Sequence, residues 1–118
     1  MSNTMLTLSP EPSARWVEAL EPLVLRSSLR GQRISASVTY WLDFSTLDFD
    51  KAVLMLDRIV VANDSAPIVC LVSVPNDEEA FAFLGRGARG YCHVAAATTQ
   101  LKLVENTVKN GGFGSQRL

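Results

Sequence analysis

The chain is poor in the side chains that build active sites. It has one histidine, His93, and two cysteines, Cys70 and Cys92, with no CxxC or Cys/His ligand spacing. A single imidazole and two separated thiols do not supply the ligand set of a zinc site. Both cysteines lie in apolar, strand-like runs and read as buried thiols of a reducing compartment. No nucleophile motif accompanies the histidine, so no Ser/His/Asp arrangement has support. Charge of one sign is also lacking. Eleven Lys and Arg stand against twelve Asp and Glu, a net charge of −1. Without a basic excess there is no electrostatic footprint for a phosphate backbone, and the chain is not expected to hold nucleic acid by itself. No apolar run reaches the ~18 residues of a membrane helix. The opening Met1–Pro10 has neither the basic start nor the long apolar stretch of a secretory signal. The expectation is a cytoplasmic domain with no membrane segment.

What is present is enough apolar sequence for one core. The 118 residues are 47% hydrophobic and 19% charged, the balance of a single globular domain. The plan is clearest between Ala66 and Gly90. A continuous apolar run, Ile68–Val72, is bounded by Pro67 and by the turn Val74-Pro75-Asn76-Asp77. Asn76 and Glu79 have the spacing of a capping box, which starts a helix with Ala80, Phe81 and Leu84 as its buried face. Gly85 and Gly87 supply left-handed positions for its exit. A further strand, Gly90–Val94, follows. This is a β-α-β unit.

The rest of the chain repeats the alternation. Met5-Leu6-Thr7-Leu8 reads as a strand that stops at Ser9-Pro10. Pro12-Ser13 opens a helix with Trp16, Val17 and Leu20 on one stripe, ended by Pro22. Leu23–Ser27 is taken as a short strand, in preference to a helix continuing to Leu29, because Pro22 would cost a helix interior about 3 kcal/mol. Residues 28–37 form a short helix or an irregular connection. Val38–Leu42 is β-branched and aromatic, a strand ending at Asp43. Phe49, Ala52, Val53, Leu56, Ile59 and Val60 recur at helical spacing, with Asp48 and Asp50 in the first turn. Thr98 or Thr99 caps a last helix with Leu101, Val104 and Val108 inward, stopped at Asn110-Gly111-Gly112. Strands apolar on both faces and alternating with helices predict a parallel sheet covered on both sides. The topology that fits is a flavodoxin-like, doubly wound α/β fold. It has five parallel strands in the order 2-1-3-4-5 and a shortened region around the second strand and its helix. The domain is read as 1–112, with 113–118 as a linker or tail.

In such a fold the chemistry sits at the carboxyl ends of the strands. There the chain resembles the receiver (CheY-like) domain of two-component response regulators, within the group linked to LuxR-type transcription factors. Tyr40-Trp41-Leu42-Asp43 is similar to the third strand and phosphoacceptor aspartate of that family. Pro67–Ser73, Asp77-Glu78-Glu79 and Leu84–Tyr91 are similar to its fourth strand, fourth helix and fifth strand. Val108–Phe113 is similar to its close. The stretch between the first and third strands departs from the pattern.

The resemblance implies a phosphorylation pocket from which most of the chemistry has gone. A receiver needs an acidic pair for Mg²⁺, a hydroxyl at the fourth strand end and a lysine at the fifth. By position this chain offers Ser9 and Pro10, with Glu11 just beyond, then Val72 with Ser73 adjacent, and Val94. Asp43 alone keeps its type, either as a residual phosphoacceptor or as a strand-end aspartate that orders a loop. His93 precedes Val94 and is read either as a positive charge near the missing lysine or as a structural histidine, since strand alternation turns its side chain away from Asp43 if Val94 takes the lysine's direction. Tyr91 stands at the family's aromatic switch position. No cofactor is expected, Mg²⁺ included, and no enzymatic activity.

The implied function is a degenerate receiver that signals by protein contact, as a homodimer or with a sensor kinase or other regulator. DNA would be reached only through a helix-turn-helix domain outside these residues. Phe81, Phe83, Leu101, Leu103 and Lys102, on the last two helices, are the interface candidates. Two other readings are a receiver still phosphorylated at Asp43, and a small-ligand sensor. For the sensor, the tail Phe113-Gly114-Ser115-Gln116 faintly matches the aromatic-x-Ser/Thr-Arg/Gln motif with which some LuxR-type regulators bind cyclic di-GMP. Gly85–Gly90 fits G-x-G-x-x-G, but it follows a helix and precedes a strand, the reverse of the dinucleotide context.

Overall fold

The computed structural model describes residues 2–115. Six strands and four helices alternate: β1 Ser2–Leu6, α1 Ala14–Ala19, β2 Leu23–Arg26, β3 Val38–Asp43, α2 Phe49–Ala62, β4 Ile68–Val72, α3 Asp77–Gly85, β5 Gly90–His93, α4 Thr98–Lys109 and β6 Gly114–Ser115. All pairings are parallel, in the order β2-β1-β3-β4-β5-β6. The expected order 2-1-3-4-5 is therefore present, with the two-residue β6 added beyond β5.

Every residue of β4 is buried, as a central strand covered on both faces requires. Alternation divides its side chains between two cores. Ile68, Cys70 and Val72 join Tyr40, Leu42, Leu56, Phe83 and Tyr91 beneath α2 and α3. Val69 and Leu71 join Met5, Trp16, Trp41, Cys92, Leu101 and Val104 beneath α1 and α4. The strand reading of Leu23–Ser27 holds, since β2 pairs with β1 from Leu23 to Arg26. Residues 27–37 contain no helix, so the crossover from β2 to β3 is irregular, the second of the two forms expected.

Several boundaries differ from the sequence reading. The first strand lies earlier, at Ser2–Leu6 rather than Met5–Leu8, because Asn3 and Met5 fill the core while Leu8 is exposed. In α3 the buried aromatic is Phe83, at 1% exposure, whereas Phe81 is 75% exposed. Phe83 packs between Phe44 and Phe49, at centroid distances of 5.2 and 5.7 Å. Leu101 is fully buried against the sheet. Phe83 and Leu101 therefore belong to the protein's own core and drop out of the interface candidates, while Phe81 and Leu103 remain exposed. The N-cap of α4 is Ala97, with no side-chain hydrogen bond, so neither Thr98 nor Thr99 caps it. The tail reading also changes: Gly114 and Ser115 pair with Gly90 and Tyr91, so the sheet extends past residue 112. The pairing depends on glycine. A Cβ on Gly114 would lie 3.0 Å from the Val104 side chain and 3.3 Å from its backbone, and one on Gly90 would lie 2.9 Å from Val69.

One buried polar side chain joins four elements at the amino end of the sheet. Asn3, on β1, is fully buried. Its Nδ2 donates to the Leu20 carbonyl at 2.9 Å and to Glu105 Oε2 at 2.6 Å, and its Oδ1 accepts from Trp41 Nε1 at 2.9 Å. Lys109 Nζ lies 3.1 Å from the same Glu105 oxygen, which compensates a carboxylate that would be costly to bury alone. Asn3→Ala strands the indole N–H, the Leu20 carbonyl and Glu105 together. It is expected to lower stability by about 2–4 kcal/mol, read as a drop in the urea midpoint with an unchanged slope.

Both thiols are buried and free. Burial pushes Cys92 up to about 12 from 9.0 and raises Cys70 further. In the unfolded chain each thiol releases its proton near pH 9, whereas in the fold it holds it. The stabilisation is therefore complete below pH 9 and is lost as the pH rises toward the folded values. Above pH 9, stability is expected to fall by up to about 1.4 kcal/mol per pH unit for each thiol. Urea titrations at rising pH, with the Cys70→Ala/Cys92→Ala variant as reference, measure this slope.

Candidate functional site

The carboxyl ends of β1, β3, β4 and β5 meet where the fold directs attention. Asp43 closes β3 and is 4% exposed. Its register partner on β4 is Leu71, whose carbonyl accepts the N–H of Phe44 at 2.9 Å, so the backbone beyond Asp43 is held to β4. The carboxylate has three donors. Oδ2 accepts from Thr7 Oγ1 at 2.7 Å, and Oδ1 accepts from the Ser45 N–H at 3.0 Å and from Ser45 Oγ at 2.6 Å. Thr7 is itself built in: its N–H donates to the Arg26 carbonyl at 2.9 Å, and its hydroxyl accepts from the Ser9 N–H at 3.0 Å. Asp43 thus joins the end of β1 to the turn that leads into α2. Thr7 was not singled out by sequence reasoning. With the strand placed at Met5–Leu8, Thr7 lay in its interior and Ser9 at its end. The register Leu6↔Leu42 sets Thr7 beside Asp43 instead.

Among the described residues, none of the other side chains named for this edge hydrogen-bonds to the Asp43 carboxylate. Ser9 Oγ donates to the Glu11 carbonyl at 3.1 Å and accepts from the Glu11 N–H at 3.3 Å, a local turn with Pro10 exposed at its tip. Val72 is buried in the α2–α3 core, and Val94 packs on the α1–α4 side. Ser73 is exposed and lines a shallow depression of about 170 Å³ with Ser45, Phe49, Val74 and Glu79. Tyr91 packs in the α2–α3 core and Val94 against the α1–α4 core, and alternation along β5 assigns His93 to the side of Tyr91. Its Nδ1 accepts the Ala95 N–H at 2.8 Å. Among the described residues, no three His, Cys, Asp or Glu side chains converge as a metal ligand set.

A cation does reach the end of β5, but from α1. Arg15 donates to the Ala95 carbonyl at 2.6 Å, and Trp16 Nε1 donates to the Val94 carbonyl at 3.1 Å. The two side chains hold α1 to the loop after β5. Arg15 is exposed on α1, and helical periodicity carries no information about which loop an outer residue reaches.

Tyr91 is locked inward. Its hydroxyl accepts the Asn76 N–H at 3.0 Å and donates to Glu79 Oε1 at 2.9 Å. Asn76 Oδ1 accepts the Glu79 N–H at 2.8 Å. The capping box read from Asn76 and Glu79 is therefore completed through the Tyr91 hydroxyl, which stands between the glutamate and the amide it would otherwise reach. Burial, with Glu79 alongside, pushes Tyr91 up to about 12.

No family model, no curated protein and no solved structure matches the chain.

The geometry of Asp43 separates two roles by substitution. Asp43→Asn keeps an acceptor for Ser45 and can donate to Thr7, so a small loss, under about 1 kcal/mol, is expected. Asp43→Ala leaves the Thr7 hydroxyl and the Ser45 amide without their partner and is expected to cost about 2–3 kcal/mol. Thermal unfolding of the two variants checks the order.

Proposed function

We propose that the chain is a regulatory domain of the receiver type, degenerate at its phosphorylation site, which works by protein contact in the cytoplasm. The observation that carries this reading is the state of Asp43. Its carboxylate sits at the position of a phosphoacceptor, yet it is buried and already accepts three hydrogen bonds from Thr7 and Ser45. A nucleophilic carboxylate needs an open approach, and the transferred phosphoryl group needs charge stabilisation around it. Val72 and Val94 stand where a hydroxyl and an ammonium would provide that stabilisation. The locked Tyr91 supports the same reading, because an aromatic tied to Asn76 and Glu79 holds one inward rotamer.

Contact surface is available on the last two helices. Phe81 on α3 and Leu103 on α4 are 75% and 60% exposed, and large apolar side chains left exposed favour association with a partner that covers them. The proposed partner is a second copy of the chain, with a sensor kinase or another regulator as a further partner of the domain.

Two measurements test this. Incubation with acetyl phosphate and Mg²⁺ is expected to leave the intact mass unchanged, and beryllofluoride is expected to produce no amide shifts around Asp43. A phosphoryl adduct that Asp43→Asn abolishes would make the domain a working receiver. Sedimentation at high micromolar concentration is expected to show a dimer that Phe81→Glu or Leu103→Glu converts to monomer, with the circular dichroism spectrum retained. A wild-type chain that stays monomeric rejects the homodimer.

A further inference from the structure

A second concave surface, larger than the depression beside Ser73, lies on the β2 side of α2. It is a groove of about 600 Å³ between α2 and the irregular 27–37 crossover. A β-α-β crossover ordinarily lays a helix over the sheet, and here residues 27–37 supply none. The flank of α2 therefore faces a slot with one wall of loop. Leu6, Leu29, Ile34, Met55 and Ile59 are among its apolar lining, and Leu54 is 52% exposed beside it.

The charge of the groove is one-sided. Arg30, Lys51 and Arg58 line it, and no Asp or Glu does. None of the three has an ion-pair partner among the described residues. Asp57, next to Arg58 in sequence, is 2.8 Å from Arg86 and so committed elsewhere, while Asp48 and Asp50, near Lys51 in sequence, do not line the groove. Arg26, the register partner of Leu6, has a buried Nε without a hydrogen-bond partner among the described residues.

The spacing of the cations selects the kind of ligand. Lys51 and Arg58 are seven residues apart on α2, hence two turns, or about 10 Å, along the groove. Arg30 stands on the opposite wall. Cations distributed along a slot do not converge on one head group, as a site for a single-headed amphiphile requires. They match acids repeated at i and i+7 on a helix whose other face is apolar.

We propose that this groove docks an amphipathic helix of acidic character from a partner protein, in the place that a crossover helix would otherwise fill. The proposal does not rest on the receiver-type reading, because it uses a different surface and neither Asp43 nor α3.

The test uses the full chain and a synthetic four-turn peptide with leucines on one face and glutamates at i and i+7 beside it. A twin carrying lysine at the glutamate positions is the control. By amide chemical-shift mapping, the acidic peptide is expected to perturb Leu29, Ile34, Leu54 and Met55. Its affinity is expected to exceed that of the lysine twin at least tenfold. The Lys51→Glu/Arg58→Glu variant, whose changes are both on exposed positions of α2, is expected to reverse that preference. Equal affinity for the two peptides overturns the proposal, as does no binding at millimolar peptide, or perturbation centred on Phe81 and Leu103. A parallel titration with laurate gives a further arm. Saturation of the groove by laurate without displacement by the acidic peptide would assign it to a small amphiphile and overturn the helical partner.

Discussion

A parallel sheet has to be covered on both faces, and the rest of this molecule follows from how that requirement is met. β4 is buried from Ile68 to Val72, so its neighbours must carry helices above and below. α1 and α4 cover one face and α2 and α3 the other. The crossovers after β1, β3 and β4 each supply one of these helices, and α4 follows β5. The crossover after β2 supplies none. The uncovered share falls at the β2 edge, where Val24 is 50% exposed and the groove along α2 opens. At the opposite edge the same need is met differently, with Gly90 and Gly114 allowing a sixth strand to approach beneath Val104.

Within that frame, two buried polar side chains fix the ends of the same strand pair. Asn3 holds β1 to Trp41 on β3, to the end of α1 and to Glu105 of α4. Asp43 holds β3 to Thr7 after β1 and to the start of the next turn. Each uses its hydrogen-bonding capacity on the protein itself, which is the condition for burying it. This bears on function. Under the proposed reading, an aspartate whose carboxylate already accepts three hydrogen bonds is a poor nucleophile. Under that reading the surfaces proposed to act are the exposed apolar residues of α3 and α4 and the cationic groove of α2.

The sequence was most legible where a pattern had a single physical solution. A five-residue apolar run between a proline and a turn is a buried strand, and Asn76 with Glu79 starts a helix. Both were found where expected. Periodicity failed where two stripes competed. In α3, Phe81 and Phe83 are equally apolar, and only the positions of Phe44 and Phe49 decide that Phe83 goes inward. Thr7 was invisible because its role depends on where β1 ends, and the local pattern placed that end at Leu8 rather than Leu6.

By itself the sequence determined the order of strands and helices, the parallel topology that follows from doubly buried strands, and the residue types available at the strand ends. These are local or one-dimensional properties, set by hydrophobic period, proline and glycine placement, and residue type. Tertiary structure alone decided which donors occupy Asp43, that the Tyr91 hydroxyl completes the cap of α3, and that the tail adds a strand. It also decided that Arg30, Lys51 and Arg58 face one groove. Each of these joins residues far apart in the chain, and such contacts are chosen by register and packing, which no local pattern encodes.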